Sequence, residues 1–137
     1  MTKTFVDTSY IVGLVNERDE NHEKANNLVE QYDKKPLLVT DAVLLEIGNS
    51  LAKKYKQEAI QIFEEFFASP EVEIVRLDEA LFNKAFELYK SYADKTWGLV
   101  DCISFVVMRE QNITDALTSD KHFVQAGFRA LMLNLEN

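Results

Sequence analysis

The chain has 137 residues, of which 47% are hydrophobic and 28% are charged, a balance typical of one globular domain rather than of a disordered chain. Its single cysteine, Cys102, excludes a disulfide framework and a cysteine-based zinc site within one chain and favours a reducing, cytoplasmic setting. The net charge of −8 argues against a general nucleic-acid binder but does not exclude a nuclease, because divalent cations can neutralise clustered carboxylates.

The first half of the chain predicts short apolar strands between helices. Apolar runs bounded by turn residues indicate strands, and apolar residues at helical spacing indicate helices. The predicted elements are strand 3–6, helix 8–16, an exposed amphipathic helix in 17–35 that ends before Pro36, strand 37–40, helix 41–55 and helix 57–69.

The second half continues the alternation. The run Leu99 to Asn112 is the most apolar helix-length segment and is expected in the core, and Gly127 is expected to end a short helix. The predicted elements are strand 72–77, helix 78–95 with Asp78 as a cap, helix 99–112, strand 113–119, helix 120–127 and strand 130–135.

Alternating strands and helices predict a three-layer α/β/α sandwich around a mostly parallel sheet. We expect one domain over residues 1–137, since the sequence shows no linker, repeat or low-complexity segment. We expect no membrane span and no secretory signal, because no apolar run approaches the roughly 20 residues that a bilayer requires.

Four acidic residues occupy places where a carboxylate is unusual. Asp7 ends the first predicted strand, and Asp120 follows the fourth. Glu46 and Asp101 lie within apolar helices, where acidic side chains are seldom buried without a partner. Carboxyl ends of parallel strands share one edge of a sheet, so these acids can meet there.

Each acid also has a purely structural interpretation. Asp7, Asp101 and Asp120 are all placed to cap the helix that each of them begins. Glu46 lies too far into its helix to be a cap, but it could point sideways into solvent. The four positions together favour a shared site, because clustered carboxylates repel one another unless a cation binds them. Oxygen ligands suit Mg²⁺ or Mn²⁺, and such ions assist phosphodiester hydrolysis.

Four stretches, "FVDTSYIVGLVN", "VTDAVLLEIGNSLAKK", "WGLVDCISFVVM" and "ALTSDKHFVQAGF", resemble in type and order the motifs of PIN-domain ribonucleases. The resemblance is greatest to the VapC-type toxins of prokaryotic toxin–antitoxin pairs. It implies a parallel α/β/α domain and a Mg²⁺- or Mn²⁺-dependent endoribonuclease.

The resemblance also implies roles for individual residues. Asp7, Glu46, Asp101 and Asp120 match the acidic residues of the family, so they are expected to bind metal and to carry catalysis. Thr8 and Ser9 are expected to support these ligands by hydrogen bonding, although Thr8 could simply begin a helix. Asp120, rather than Asp115, matches the fourth acid because it directly precedes Lys121, His122 and Phe123.

Other residues leave open more than one interpretation. His122 could touch substrate, and Trp97 could stack on a base or pack over the sheet edge. Basic residues could contact an RNA backbone or be solvated; these are Lys53, Lys54, Lys56, Lys95 and Arg109. Within the resemblance, Gly98 stands where many relatives carry a polar residue, which is expected to loosen the approach to Asp101.

The aromatic residues of "AIQIFEEFFASP" suggest a protein partner. Phe63, Phe66 and Phe67 cannot all face one core, which favours a homodimer contact or a groove for a partner helix. The resemblance agrees, since relatives typically dimerise and bind an antitoxin as well as an RNA substrate.

Three alternatives remain at this level. The chain could be a catalytically idle PIN-like module that binds RNA or protein, or an acidic-site nuclease directed to DNA. Aspartyl phosphatase chemistry is a third alternative, but "DTS" lacks the second nearby aspartate that such chemistry normally uses.

Overall fold

The structure is a computed structural model and describes residues 2–133. Within that range the chain forms five strands and seven helices. In chain order they are β1 Thr4–Val6, α1 Thr8–Val15, α2 His22–Tyr32, β2 Leu37–Thr40, α3 Asp41–Leu51, α4 Lys56–Ala68, β3 Val72–Val75, α5 Glu79–Ser91, α6 Leu99–Glu110, β4 Asp115–Leu117, α7 Lys121–Gln125 and β5 Arg129–Ala130.

The strands form one sheet in the order β3-β2-β1-β4-β5, and every neighbouring pair is parallel. The predicted three-layer α/β/α sandwich is confirmed, and the sheet is wholly parallel. Strand β1 lies at the centre, with β2 on one side and β4 on the other. The chain order changes direction between β1 and β4, and ligands bind at such switch points, beyond the carboxyl ends of the strands.

Apolar residues on the central strands and on helix α6 form the core. Phe5, Val6, Leu38, Ala116 and Leu117 have no exposed surface. Helix α6 buries half of its twelve residues, including Cys102, Ile103, Phe105 and Met108, as the apolar run predicted. The centre of the sheet is therefore rigidly packed, and the residues that follow β1 and β4 are held at its edge.

Helix α2 is shorter than predicted, because residues 17–21 form a turn before it. Asn16 Oδ1 accepts from the Arg18 N–H at 3.0 Å, and Asp19 Oδ1 accepts from the Asn21 N–H at 2.9 Å. Short polar side chains of this kind compete with helical backbone bonds. Helical spacing alone placed the start of the helix too early.

Other elements also end before their predicted limits. Helix α3 stops at Leu51, and β3 stops at Val75. The final strand is confined to Arg129–Ala130; residues 134 and 135 of the predicted strand lie outside the described range. Gly127 adopts a φ of 97°, which explains why α7 ends beside it.

No helix in residues 2–133 combines the length and the apolar character needed to cross a bilayer.

Candidate functional site

A depression at the carboxyl edge of the sheet brings the four predicted acids together. We name it the acidic pocket; it has a volume of about 430 Å³ and is lined by Asp7, Thr8, Ser9, Val12, Asp19, Asn21, Glu46, Asp101, Asp120 and His122. Asp7 comes directly from β1, and Asp120 follows β4 at the neighbouring strand end. Glu46 and Asp101 reach the same space from α3 and α6.

Asp7 lies at the start of α1 without capping it through its side chain. The side chain is only 7% exposed, and its Oδ2 accepts from Thr118 Oγ1 at 2.6 Å and from Ser9 Oγ at 3.0 Å. The capping interpretation is therefore wrong for Asp7. Two hydroxyl groups instead hold one of its carboxylate oxygens in place at the base of the pocket.

Glu46 is half-buried and does not point away into solvent. Its Oε1 accepts from Thr8 Oγ1 at 2.8 Å, a contact that joins helices α1 and α3. Thr8 thus begins α1 and also orients an acidic side chain. The two hydroxyl residues singled out from the sequence, Thr8 and Ser9, each donate to one of the predicted acids.

For Asp101 and Asp120, the capping interpretation holds alongside a place in the pocket. Asp101 Oδ2 accepts from the Gly98 N–H at 3.1 Å, so the carboxylate ties down the first turn of α6. Asp120 Oδ1 accepts from the His122 N–H at 2.9 Å at the start of α7. One oxygen of each carboxylate is used for capping, while the side chain still lines the pocket.

His122 joins these two acids. Its Nδ1 lies 2.9 Å from Asp101 Oδ2 and 3.4 Å from Asp120 Oδ1, and its Nε2 lies 3.1 Å from Thr96 Oγ1. One ligand atom from each of Asp101, Asp120 and His122 can be chosen so that all three lie within 4.8 Å of one another. That spacing is compatible with a single cation in contact with all three side chains.

Burial alters the acidity of two of the acids. Loss of solvation raises the pKa of Asp7 to about 6, although the Thr118 and Ser9 hydroxyls partly oppose the shift. Burial likewise raises the pKa of Asp101, against the lowering influence of the Gly98 N–H and of His122. A positive ion in the pocket would favour the charged form of both carboxyl groups.

Sequence reasoning did not identify Thr118, Asp19 and Asn21 as members of the site. Thr118 is fully buried; besides donating to Asp7, it accepts from the Asp120 N–H at 3.0 Å. Asn21 Nδ2 donates to Ser119 Oγ at 3.1 Å, which connects the turn before α2 to the end of β4. The stretch "ALTS" looks like an ordinary strand, so the sequence does not mark Thr118 as a site residue. The acidic and amide residues of "ERDEN", next to the first motif, could have indicated that this segment lines the acidic pocket.

The residues with open interpretations are mostly structural. Trp97 is 5% exposed, and its Nε1 donates to Gln125 Oε1 at 2.9 Å, so it packs rather than presenting a free ring. Arg109 donates to the Ala126 carbonyl oxygen. Asp115 begins β4 and pairs with Arg129, away from the strand end that carries the pocket. Of the three aromatic residues on α4, Phe63 and Phe66 are half-buried and Phe67 is 58% exposed.

Comparison with known proteins gives consistent matches. Residues 4–129 match the family model described as PIN domain. Two curated relatives, both named 23S rRNA-specific endonuclease VapC20 and taken from two Mycobacterium tuberculosis strains, are each 30% identical to this chain over 125 residues. Those alignments cover 90% of this chain and 94% of the relative.

A solved structure agrees with the sequence matches. The crystal structure of Mycobacterium tuberculosis VapC20, a sarcin–ricin loop cleaving toxin, aligns with a TM-score of 0.82 and 27% identity. The alignment covers 92% of this chain and 96% of that chain.

Proposed function

The chain belongs to the PIN domain family, and from that premise we propose that it is a divalent-metal-dependent endoribonuclease and the toxin of a toxin–antitoxin pair. One observation carries the proposal: the four acids predicted from separate motifs line the same pocket at the switch point of the sheet. A catalytically idle module that only binds RNA or protein does not require four carboxylates in one pocket.

The donor set of the acidic pocket fits a hard dication. Four carboxylates face a small volume, and one of them is buried enough that its pKa rises to about 6. Mg²⁺ and Mn²⁺ take oxygen ligands of this type. An ion held there supplies the positive charge that offsets the charge developing on a phosphodiester during hydrolysis.

We assign separate tasks to the residues of the pocket. Asp7, Asp101 and Glu46 bind the ion directly or through water, and Asp120 completes the pocket or holds a second ion. Thr8 and Ser9 orient Glu46 and Asp7 through the hydrogen bonds described above. A carboxylate that is not bound to metal can accept the proton of the attacking water.

We propose ribosomal RNA as the substrate class, since the curated relatives are named 23S rRNA-specific endonucleases. The substrate must approach a protein of net charge −8. Cations in the pocket therefore serve association as well as chemistry, because they offset part of the repulsion between two negatively charged molecules.

The direct test incubates the purified chain with ribosomes and with naked 23S rRNA in Mg²⁺, in Mn²⁺ and in EDTA. The wild-type chain should cut RNA only with a divalent ion. Asp7→Asn should lower the rate by about a hundredfold or more, because several kcal/mol of transition-state stabilisation depend on the ion. Asp115→Asn is the matched control and should cut at the wild-type rate, since Asp115 lies at the opposite end of β4.

Cleavage by Asp7→Asn at the wild-type rate would show that the pocket is not the active site. Cleavage in EDTA would overturn the dependence on metal, and cleavage of DNA alone would point to the DNA-directed alternative.

An apolar groove separate from the acidic pocket supports the proposed antitoxin partner. It has a volume of about 540 Å³, and side chains of α1, α2 and α4 line it, including Ile11, Leu14, Val29, Ile62 and Phe66. An amphipathic antitoxin helix could bury its apolar face there. Co-purification with the product of the reading frame directly upstream tests this assignment, and failure to form a complex would contradict it.

We also propose a homodimer and a cytoplasmic location. Exposed aromatic side chains on α5 support the dimer: Phe82 is 41% exposed, Phe86 42% and Tyr89 45%. Light scattering of the purified chain distinguishes a dimer from a monomer. The lone cysteine, Cys102, is buried and in no disulfide, which suits a reducing compartment.

A further inference from the structure

His122 lines the acidic pocket, but the proposed metal site of four carboxylates gives it no role. Its side chain is 19% exposed, and the Nδ1 atom faces Asp101 and Asp120. Here Nδ1 faces the pocket, and Nε2 faces Thr96 in the segment between α5 and α6.

Thr96 allows the ring to hold either of two tautomers. A hydroxyl group can donate or accept. When Nδ1 carries the hydrogen and donates to Asp101, the Thr96 hydroxyl can donate to Nε2. When Nε2 carries the hydrogen, it donates to Thr96 Oγ1, and the Nδ1 lone pair faces the pocket. An oxygen partner behind the ring is the usual way in which a protein orients a metal-binding histidine.

We infer that His122 Nδ1 is a nitrogen ligand beside Asp101 and Asp120 and that it biases the acidic pocket toward Mn²⁺ over Mg²⁺. The inference rests on the proposed metal-dependent function. The geometry supports this inference because the ligand atoms of the three side chains lie within 4.8 Å of one another. Mg²⁺ takes oxygen ligands and keeps its waters, whereas imidazole favours transition-metal ions.

The inference divides the pocket into two parts of different chemistry. Asp7 and Glu46, with hydroxyl partners, form an all-oxygen part. Asp101, Asp120 and His122 form a mixed oxygen and nitrogen part. The all-oxygen part should accept either ion, and the preference for Mn²⁺ should depend on the single imidazole.

The test uses the full chain loaded with Mn²⁺ alone and requires no RNA. Pulsed electron paramagnetic resonance detects nitrogen nuclei bound to Mn²⁺, and labelling histidine alone with ¹⁵N identifies imidazole as their source. The chain has only two histidines, His22 and His122. His22→Asn is the matched control, because His22 lies 2.7 Å from the Gly13 carbonyl oxygen and does not line the pocket. We expect the histidine coupling in wild type and in His22→Asn.

His122→Asn places an amide group where Nδ1 lies and so offers oxygen in place of nitrogen. Calorimetric titration with Mn²⁺ and with Mg²⁺ should show that the preference for Mn²⁺ falls about tenfold in this variant, while Mg²⁺ binding remains. Thr96→Val keeps the shape of the side chain but removes the partner of Nε2, and it should weaken Mn²⁺ binding in the same direction.

The outcomes separate the inference from the function on which it rests. Mn²⁺ binding without histidine coupling in the labelled wild-type chain would overturn the role of His122 and leave the metal-dependent function intact. Failure to bind either ion would overturn both. Because the labelled wild-type chain and His22→Asn suffice to assign the nitrogen, the test holds even if His122→Asn does not fold.

Discussion

Asp7 shows how one residue can serve the site at the expense of the fold. It is 7% exposed, and burial raises its pKa from 3.8 to about 6. An acid with a raised folded-state pKa leaves stability unaffected below its unfolded-state pKa. Stability then falls as pH rises from about 4 to about 6 and stays lower above that range. The shift corresponds to at most about 3 kcal/mol.

Replacing Asp7 with Asn should therefore stabilise the metal-free protein at pH 8. Asn removes the buried charge, and its side-chain oxygen can still accept from Thr118 and Ser9. We expect a gain of up to about 3 kcal/mol in the free energy of unfolding at pH 8. The gain should shrink toward zero as the pH falls below about 4, where the carboxyl group becomes protonated in the folded and in the unfolded state. Urea unfolding in EDTA across this pH range measures it.

Asp115→Asn serves as the control for the Asp7 prediction, since Asp115 is partly exposed and paired with Arg129. This variant should show no such gain at pH 8. A stability difference between wild type and Asp7→Asn that stays constant with pH would show that burial does not raise the pKa of Asp7.

Thr118 is predicted to control metal affinity without binding metal itself. Thr118→Val keeps the size of a fully buried side chain but removes the 2.6 Å hydrogen bond to Asp7 and the acceptor for the Asp120 N–H. Loss of such a supporting contact typically weakens metal binding about 10- to 100-fold. Calorimetric titration with Mn²⁺ should show this loss, whereas Thr118→Ser, which keeps the hydroxyl, should bind close to the wild-type affinity. Equal binding by the valine variant would refute the role.

The site residues predicted from the sequence stand out from their neighbours along the chain, whereas the residues that were missed do not. Asp7 and Asp120 stand out because each follows an apolar strand, and Glu46 because it interrupts an apolar helix. Thr118 gives no such signal, because threonine is common in strands. Its importance comes from a partner 111 residues away, Asp7, and only the folded chain reveals that contact.

At the scale of elements, the sequence predicts which helices and strands exist better than it predicts where they begin and end. Periodicity identifies α2, but it cannot show that the Asn16 and Asp19 side chains cap backbone N–H groups in the preceding turn. Helix α6 is predicted to within two residues at its end because its apolar run is long and bounded. Two-residue β5 depends on pairing with β4, which sequence pattern alone cannot supply.

The end of helix α7 gives a prediction with a matched control. Gly127 has a φ of 97°, a conformation that side chains with a Cβ disfavour, whereas Gly98 has a φ of −82° and open space where a Cβ would lie. Gly127→Ala should therefore lower the free energy of unfolding by about 1 kcal/mol. Gly98→Ala should cost less, because its backbone accommodates a Cβ without strain and only the weaker N-cap preference of alanine remains. Thermal unfolding of both variants measures the difference, and equal melting temperatures would contradict it.

At the scale of the whole molecule, the fold concentrates negative charge at the point where the topology changes direction. The acids come from the region after β1, from α3, from α6 and from the region after β4, and they meet at one sheet edge. The unfolded chain holds them far apart, so it lacks a strong site. Cation binding and folding are consequently linked.

That linkage predicts how metal removal affects the whole chain. An ion that binds only the folded state stabilises it by about 2.7 kcal/mol at a hundredfold excess over its dissociation constant. For a chain of this size we expect a rise of roughly 10 °C in melting temperature with Mn²⁺ relative to EDTA. Asp115→Asn should show the full rise and Asp7→Asn a smaller one, because Asp7 lines the acidic pocket and Asp115 does not. If wild type and Asp7→Asn gain equally from Mn²⁺, Asp7 does not take part in binding the ion.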